Sequence, residues 1–458
     1  MSPHRGSTLA VLCAMALMIV LDSTIVAVAI PSIQRDLGFS PAGVAWVINA
    51  YLVAFAGLLL LAGRLGDLIG PRRVFLFGLA VFTGSSLLCG LADSPFWLIA
   101  GRFLQGTGGA LASAVILGLI VRLYPSPAGQ ARALGIYSFT QAGGSAIGFV
   151  AGGILTDAFG WPAIFLINVP IGIAVFLFGR RLLPISRPVV SSRGLDFPGA
   201  TLITAGLSLG VLAIVETRFA MVAAGTSVLL IGGFLVRQRY AVSPLVPLAL
   251  LGRSWLLRAN AVMMLLFAAG MGFQFLNALF VQRIMGYDAL GTGSAFLPTP
   301  LVIGLMSLFL AARLTARFGP LRVLLAGLSA MLLGLLLLAR MPSAPSYWTD
   351  MFPPLIIMGL GVGVAIPAVI MLSMAGAAPS ESGLVSGLGN TAQQAGGALG
   401  LAVLATVAAS AGYSRAFLTA ATFIAAATTL AALLLRRAPT PADAPAADLA
   451  RPVPATCS

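Results

Sequence analysis

Long apolar runs separated by short polar breaks fill this chain, and their lengths decide what they form. A helix needs roughly 20 apolar residues to cross about 30 Å of hydrocarbon. Fourteen runs reach that scale, near residues 8–30, 43–63, 74–92, 96–121, 132–156, 161–179, 197–216, 219–236, 259–281, 291–312, 322–340, 351–371, 384–409 and 416–435. The pattern predicts an all-α integral membrane protein with fourteen transmembrane helices. Only Glu216, Thr217 and Arg218 divide the seventh run from the eighth, and fusing those two would break the alternation of everything that follows. Ala27-Val28-Ala29 imitates a signal-peptide cleavage site, but its run is too long for a signal and thirteen more follow.

Composition agrees, at 59% hydrophobic and 8% charged residues and a mean hydropathy of +1.04. A net charge of +14 would, in a soluble chain, suggest nucleic acid, so the placement of the arginines matters. With the N-terminus inside, 20 of the 26 arginines fall on one side, 5 on the other and Arg102 within a span. Short cytoplasmic loops collect positive charge, so this split makes the arginine-rich side, with both termini, cytoplasmic. The charge is dispersed over loops, and no nucleic-acid partner is expected. Lysine is absent, which reads as a coding bias and also rules out a Gly-Lys-Ser phosphate loop. No cofactor is expected, and no metal: His4 is the single histidine, and Cys13, Cys89 and Cys457 have no ligand spacing. An intramembrane enzyme would find little catalytic material here.

The stretch "LAGRLGDLIGPRRVFLFGL" (61–79) aligns without gaps to "LAARLTARFGPLRVLLAGL" (310–328), identical at eleven of nineteen positions. The first copy joins runs two and three, the second runs ten and eleven. An offset of eight spans keeps both copies on one side, so the halves are parallel repeats. Secondary transporters use such repeats with a substrate site between the halves. The expected domains are 1–180, a six-helix bundle; 181–256, two additional helices; 257–436, a second six-helix bundle; and 437–458, a disordered Ala/Pro-rich tail.

The duplicated loop, with Gly63, Asp67, Gly70, Arg72 and Arg73, resembles the cytoplasmic signature loop of the major facilitator superfamily. Together with "LDSTIVAVAIP" (21–31), "RFLQGTGGA" (102–110), "WPAIFLINVPIG" (161–172) and "SGLGNTAQQAGGALGLAV" (386–403), it resembles the fourteen-helix drug/proton antiporter branch, over nearly the whole chain except the tail. The resemblance implies two pseudo-symmetric six-helix bundles with two extra central helices. It also implies multidrug or antibiotic efflux driven by the proton gradient, a bacterial cell membrane, and a loop that latches the halves in the outward-facing state. Leu68 and Pro71 stand where the family usually has basic residues, and Phe149 where its antiporter motif has proline.

Physical readings run beside these. Gly70 and Pro71 suit a tight turn into a helix; a plain turn does not explain Asp67, whose counterpart is Ala316. Gly144, Gly148 and Gly152 share one helical face, with Gly153 alongside, and small residues at that spacing let membrane helices pack closely. A carboxylate or guanidinium at mid-span costs about 2.5–3.5 kcal/mol on insertion scales, which makes Asp22 and Arg102 functional candidates. At 1.5 Å per residue they lie roughly 12 and 9 Å from the same face, so they meet if helices one and four are neighbours. Such a pair is either a static structural contact or a proton switch in which Asp22 takes a proton when the arginine withdraws.

Candidate cavity residues are Asn49, Gln105, Gln141, Gln274, Asn277, Asn390 and Gln394, with Phe and Met around them. A largely apolar site with scattered amides suits an amphipathic organic molecule, neutral, zwitterionic or weakly charged. The protein is expected to act as a monomer. Export of an endogenous secondary metabolite or lipid, and proton-linked uptake, fit the same residues.

Overall fold

The computed structural model describes residues 4–41, 43–124, 126–184, 196–241, 244–246, 253–342, 345–374 and 382–434. The expected disordered tail, 437–458, lies outside them. Fourteen helices are long and apolar enough to cross a membrane: α1 Arg5–Leu37, α2 Gly43–Gly66, α3 Pro71–Gly90, α4 Pro95–Leu123, α5 Phe139–Phe159, α6 Pro162–Leu182, α7 Phe197–Val215, α8 Ala220–Tyr240, α9 Ser254–Arg283, α10 Ala289–Phe318, α11 Pro320–Ala339, α12 Tyr347–Met374, α13 Val385–Ala411 and α14 Tyr413–Leu433. Each coincides with one expected apolar run. The helix bearing α5 begins earlier, at Pro127, and α1 runs on through Pro31 into the polar turn Gln34–Leu37. Hydropathy marks the hydrocarbon limits, whereas hydrogen bonding carries a helix past them.

The signature turns are alike. Gly70 and Gly319 adopt φ of 94° and 82°, where a side chain would be strained, and each hands over to a proline at the first helical position. α1 to α6 pack among themselves, as do α9 to α14; α7 and α8 pair with each other, and α7 lies against α2 and α13. Asp196 anchors this insert by capping α7 at Gly199 N and accepting hydrogen bonds from Arg237 Nε (2.6 Å) and Gln238 Nε2 (2.9 Å) on α8. Burial alone would raise its proton affinity, but these three donors outweigh that and hold the carboxyl below its ordinary range.

Close crossings depend on glycine. Gly144, Gly148 and Gly152 bring α5 against α1 at Leu17, Thr24 and Ile25. At the equivalent place in the other half, Gly396 and Gly400 bring α13 against α9 at Met264 and Ala268. Gly153 faces elsewhere, across the halves, onto Leu290 of α10.

Candidate proton-coupling site

Arg102 and Gln105 stand three residues apart on α4 and therefore share a face. Glycines around them admit neighbouring backbones: a Cβ at Gly106 would strike the carbonyl of Tyr51 on α2, and one at Gly108 would lie 2.7 Å from the carbonyl of Gly78 on α3. Into this junction α1 projects Asp22. Arg102 Nη1 donates to Asp22 Oδ2 at 2.5 Å, with side-chain exposures of 1% and 0%. It also donates to Gln105 Oε1 at 2.7 Å, and Gln105 Nε2 donates to Asp22 Oδ1 at 2.8 Å, closing a three-member ring.

Arg102 and Gln105 have further partners. Arg102 Nε donates to the Val47 carbonyl at 2.7 Å, and its guanidinium lies 4.6 Å from the Tyr51 ring centre and 5.7 Å from that of Phe165. Gln105 Nε2 also donates to Ser86 Oγ at 2.8 Å. Charge in low dielectric is stable only when paired and hydrogen-bonded, and this cluster meets that condition with residues from five helices. Asp22 and Arg102 meet at the level their sequence positions imply. Gln105, expected on a cavity wall, is instead fully buried inside the ring. Sequence reasoning missed Tyr51, Ser86 and Phe165; the polar Ser85-Ser86 step in an otherwise apolar span was the available signal for one of them.

The remaining amides are spread over four helices. Asn49 and Asn277 are fully buried with no hydrogen-bond partner, whereas Gln141, Gln274, Asn390 and Gln394 are half-buried. Gly397 of α13 faces both Leu52 of α2 and Met271 of α9. Asn49 and Gln274 stand one helical turn to one side of that three-way contact and Gln394 one turn to the other, because α9 and α13 run parallel, so α2, α9 and α13 bring three of the six within roughly two turns of one another. Nothing comparable links Gln141 to them. Of the signature loop, Gly63 is half-buried and open, Arg73 is exposed, and Arg72 donates to the Arg180 carbonyl at the end of α6. The Asp67 side chain lies outside the described residues.

With this geometry in view, comparison with known proteins decides the family. The Major Facilitator Superfamily model matches residues 12–401, and again 299–456. The chain belongs to the major facilitator superfamily. It is 37% identical over 414 residues to the cephamycin export protein of Amycolatopsis lactamdurans, covering 88% of this chain and 85% of that one. To the puromycin resistance protein of Streptomyces alboniger it is also 37% identical, over 424 residues, covering 91% and 84%. Among solved structures, a POT family transporter superposes with a TM-score of 0.70 at 15% identity over 94% of this chain and 98% of that one, which establishes the fold. This is a multi-pass membrane transporter of that superfamily.

Proposed function

We propose that the protein exports amphipathic organic compounds in exchange for protons, by alternating access of one site between the two bundles. The observation that carries this reading is the buried ring of Asp22, Arg102 and Gln105, in a chain whose relatives are named for antibiotic export and resistance. Removing one partner of a buried ion pair typically costs about 3–5 kcal/mol, and neutralising Asp22 would leave the buried Arg102 guanidinium without its counter-charge but not without hydrogen-bond acceptors. Arg102 would keep the Val47 and Gln105 oxygens and two aromatic faces, and Gln105 would keep Ser86. Proton uptake by Asp22 thus leaves an Arg102 cation that is solvated by protein but unpaired, which favours a rearrangement around Arg102 and so couples protonation to conformation.

Asp22 has no exposed surface, so proton exchange requires a different arrangement of the bundles, which ties protonation to conformation. Substrate binds among Asn49, Gln141, Gln274, Asn277, Asn390 and Gln394. With the single deep acid committed to Arg102, a neutral, zwitterionic or weakly charged substrate fits better than a dication. The bundles correspond to residues 1–180 and 257–436, flanking the 181–256 insert, and the protein works as a monomer with its arginine-rich face and both termini in the cytoplasm. The proton gradient is the sole energy source, with no ATP or cofactor.

The test is Asp22→Asn in vesicles with an imposed pH gradient, using ethidium as the probe after resistance screening over antibiotics and dyes. Loss of gradient-driven flux with retained exchange down a substrate gradient is expected. Gradient-driven flux at the native rate would remove Asp22 from the role.

A further inference from the structure

The departure at Phe149, where the family pattern has proline, finds a use in the structure. α5 presents two stripes. Gly144, Gly148 and Gly152 face α1 within the same half, while Phe149, Gly153 and Asp157, also four apart, face α10 across the halves. The answering positions on α10 are Phe296, Gly293 and Leu290, three apart and running the opposite way.

Three rungs result. The Phe149 and Phe296 rings stack at 5.0 Å between centres and 11° between planes, both nearly buried. At the middle, a Cβ on Gly153 would lie 2.6 Å from Leu290 Cα, and one on Gly293 would strike the Phe149 carbonyl. At the end, Asp157 Oδ2 accepts from Leu290 N at 2.7 Å, capping the first turn of α10 beside Asp288, which accepts from Gly291 N at 2.6 Å. Nearby, Gln282 Nε2 of α9 donates to the Val28 carbonyl of α1 at 2.8 Å, and Arg283 donates to Gln34. The Asp157 cap and the Gln282 and Arg283 bonds lie at the arginine-poor end of the molecule, and the seam runs inward from them to the Phe149–Phe296 stack, toward the middle of the α5 span. The apolar part is a small cluster separate from the main core: Ala27, Val28, Phe149, Ala278, Ala289 and Phe296.

A seam of one aromatic pair, one glycine crossing and one borrowed cap holds two bundles together yet remains small enough to part. We propose that this seam is the outer gate of the transporter and that the Phe149–Phe296 stack sets how often it opens. The aromatic pair stands in for the missing proline: it closes the outer end by a contact between the halves, not by a bend within α5. Phe149 and Phe296 are positioning residues, acting on the balance of states and not on proton or substrate.

The proposal rests on the alternating-access reading, but its readout does not require transport. Ala278→Cys, in a Cys457→Ser background with buried Cys13 and Cys89 retained, is labelled in right-side-out vesicles with a membrane-impermeant maleimide. Loss of an aromatic pair worth about 0.5–1.5 kcal/mol predicts labelling roughly two- to tenfold faster in Phe149→Ala. Phe296→Ala should match it, and the double variant should add little, since the two residues act as one contact. Gly153→Val, which wedges the seam, should label fastest, whereas Gly143→Ala, in open space, should label at the parent rate. Phe149→Leu serves if the alanine variant folds poorly. Parent-rate labelling in the Phe149, Phe296 and Gly153 variants, each monodisperse, would overturn the gate. Faster labelling without any proton-driven flux would leave the gate standing and sink the export reading instead.

Discussion

α3 against α4 and α11 against α12 are the same joint built twice. A Cβ at Gly78 would lie 2.8 Å from the carbonyl of Gly108, and one at Gly327 would lie 2.8 Å from the carbonyl of Gly361. Both second helices of the signature loops open on proline and span 20 residues. What the joints enclose is different. The first buries Ser86, Arg102 and Gln105 against Asp22; in the second, α11 contributes no buried polar residue among those described and α12 only Ser373. The duplicated feature is the packing geometry, which depends on glycine at fixed intervals, while the charge belongs to one copy. Among the described residues the buried ion pair therefore lies in one half, and the matching joint of the other half is apolar.

The comparison breaks most severely at Arg102. Arg102→Leu makes the first joint apolar like the second but strands Asp22, and about 3–5 kcal/mol of stability should go with it. Melting temperature in detergent checks this. Adding Asp22→Asn should recover most of the loss while proton-driven flux stays absent, because a neutral amide no longer needs the arginine. If the double variant remained as unstable as the single one, the pair would be a structural contact and not a switch.

The spans, the repeat and the level of the ion pair were legible from one sequence because each depends on distance along a single helix. Asp22 and Arg102 could be matched by counting residues from the same face. The partners across helices could not: nothing in "TGSSLLCG" says which face of α3 meets α4, so Ser86 went unassigned and Gln105 was expected to line a cavity. The Phe149–Phe296 stack was further out of reach, since it requires the register between helices of different halves. Asp67 was singled out by its missing counterpart, Ala316, and that contrast is still the reason to probe it.

The second-largest effect should be symmetrical. Gly78→Val and Gly327→Val each force a branched side chain onto a backbone carbonyl, and overpacking of this kind costs about 1–3 kcal/mol. Equal losses in thermal stability would confirm that the two joints are mechanically equivalent. A loss confined to Gly78→Val would mean that the polar cluster, and not the crossing, holds the first joint together.

The insert offers a contrast with both bundles, since Asp196 is buried charge outside the repeat. Asp196→Asn removes a carboxylate that three donors favour and should cost on the order of 1 kcal/mol. Because its folded pKa is lowered, the contribution is fully present above the unfolded value of about 3.9 and fades as pH falls through the lower folded value. Melting curves of native protein and variant should therefore differ by a constant amount from pH 7 to 5 and converge in stronger acid. A difference that persisted there would assign the effect to shape instead of charge.

The smallest change exchanges the loops themselves. Position 72 in the first copy corresponds to Leu321 in the second, and Arg72 donates to the terminal carbonyl of Arg180 on α6. A cation at the end of a helix interacts favourably with its exposed carbonyls, by about 0.3–1 kcal/mol at surface sites. Arg72→Leu should thus lower stability by no more than this, with a deficit that shrinks as salt is added. Leu321→Arg in the other copy should gain nothing unless α14 offers an equivalent carbonyl. If Arg72→Leu instead abolished flux while leaving the melting temperature unchanged, the contact would belong to the motion of the gate and not to the resting fold, and the two loops would differ in mechanism as well as in charge.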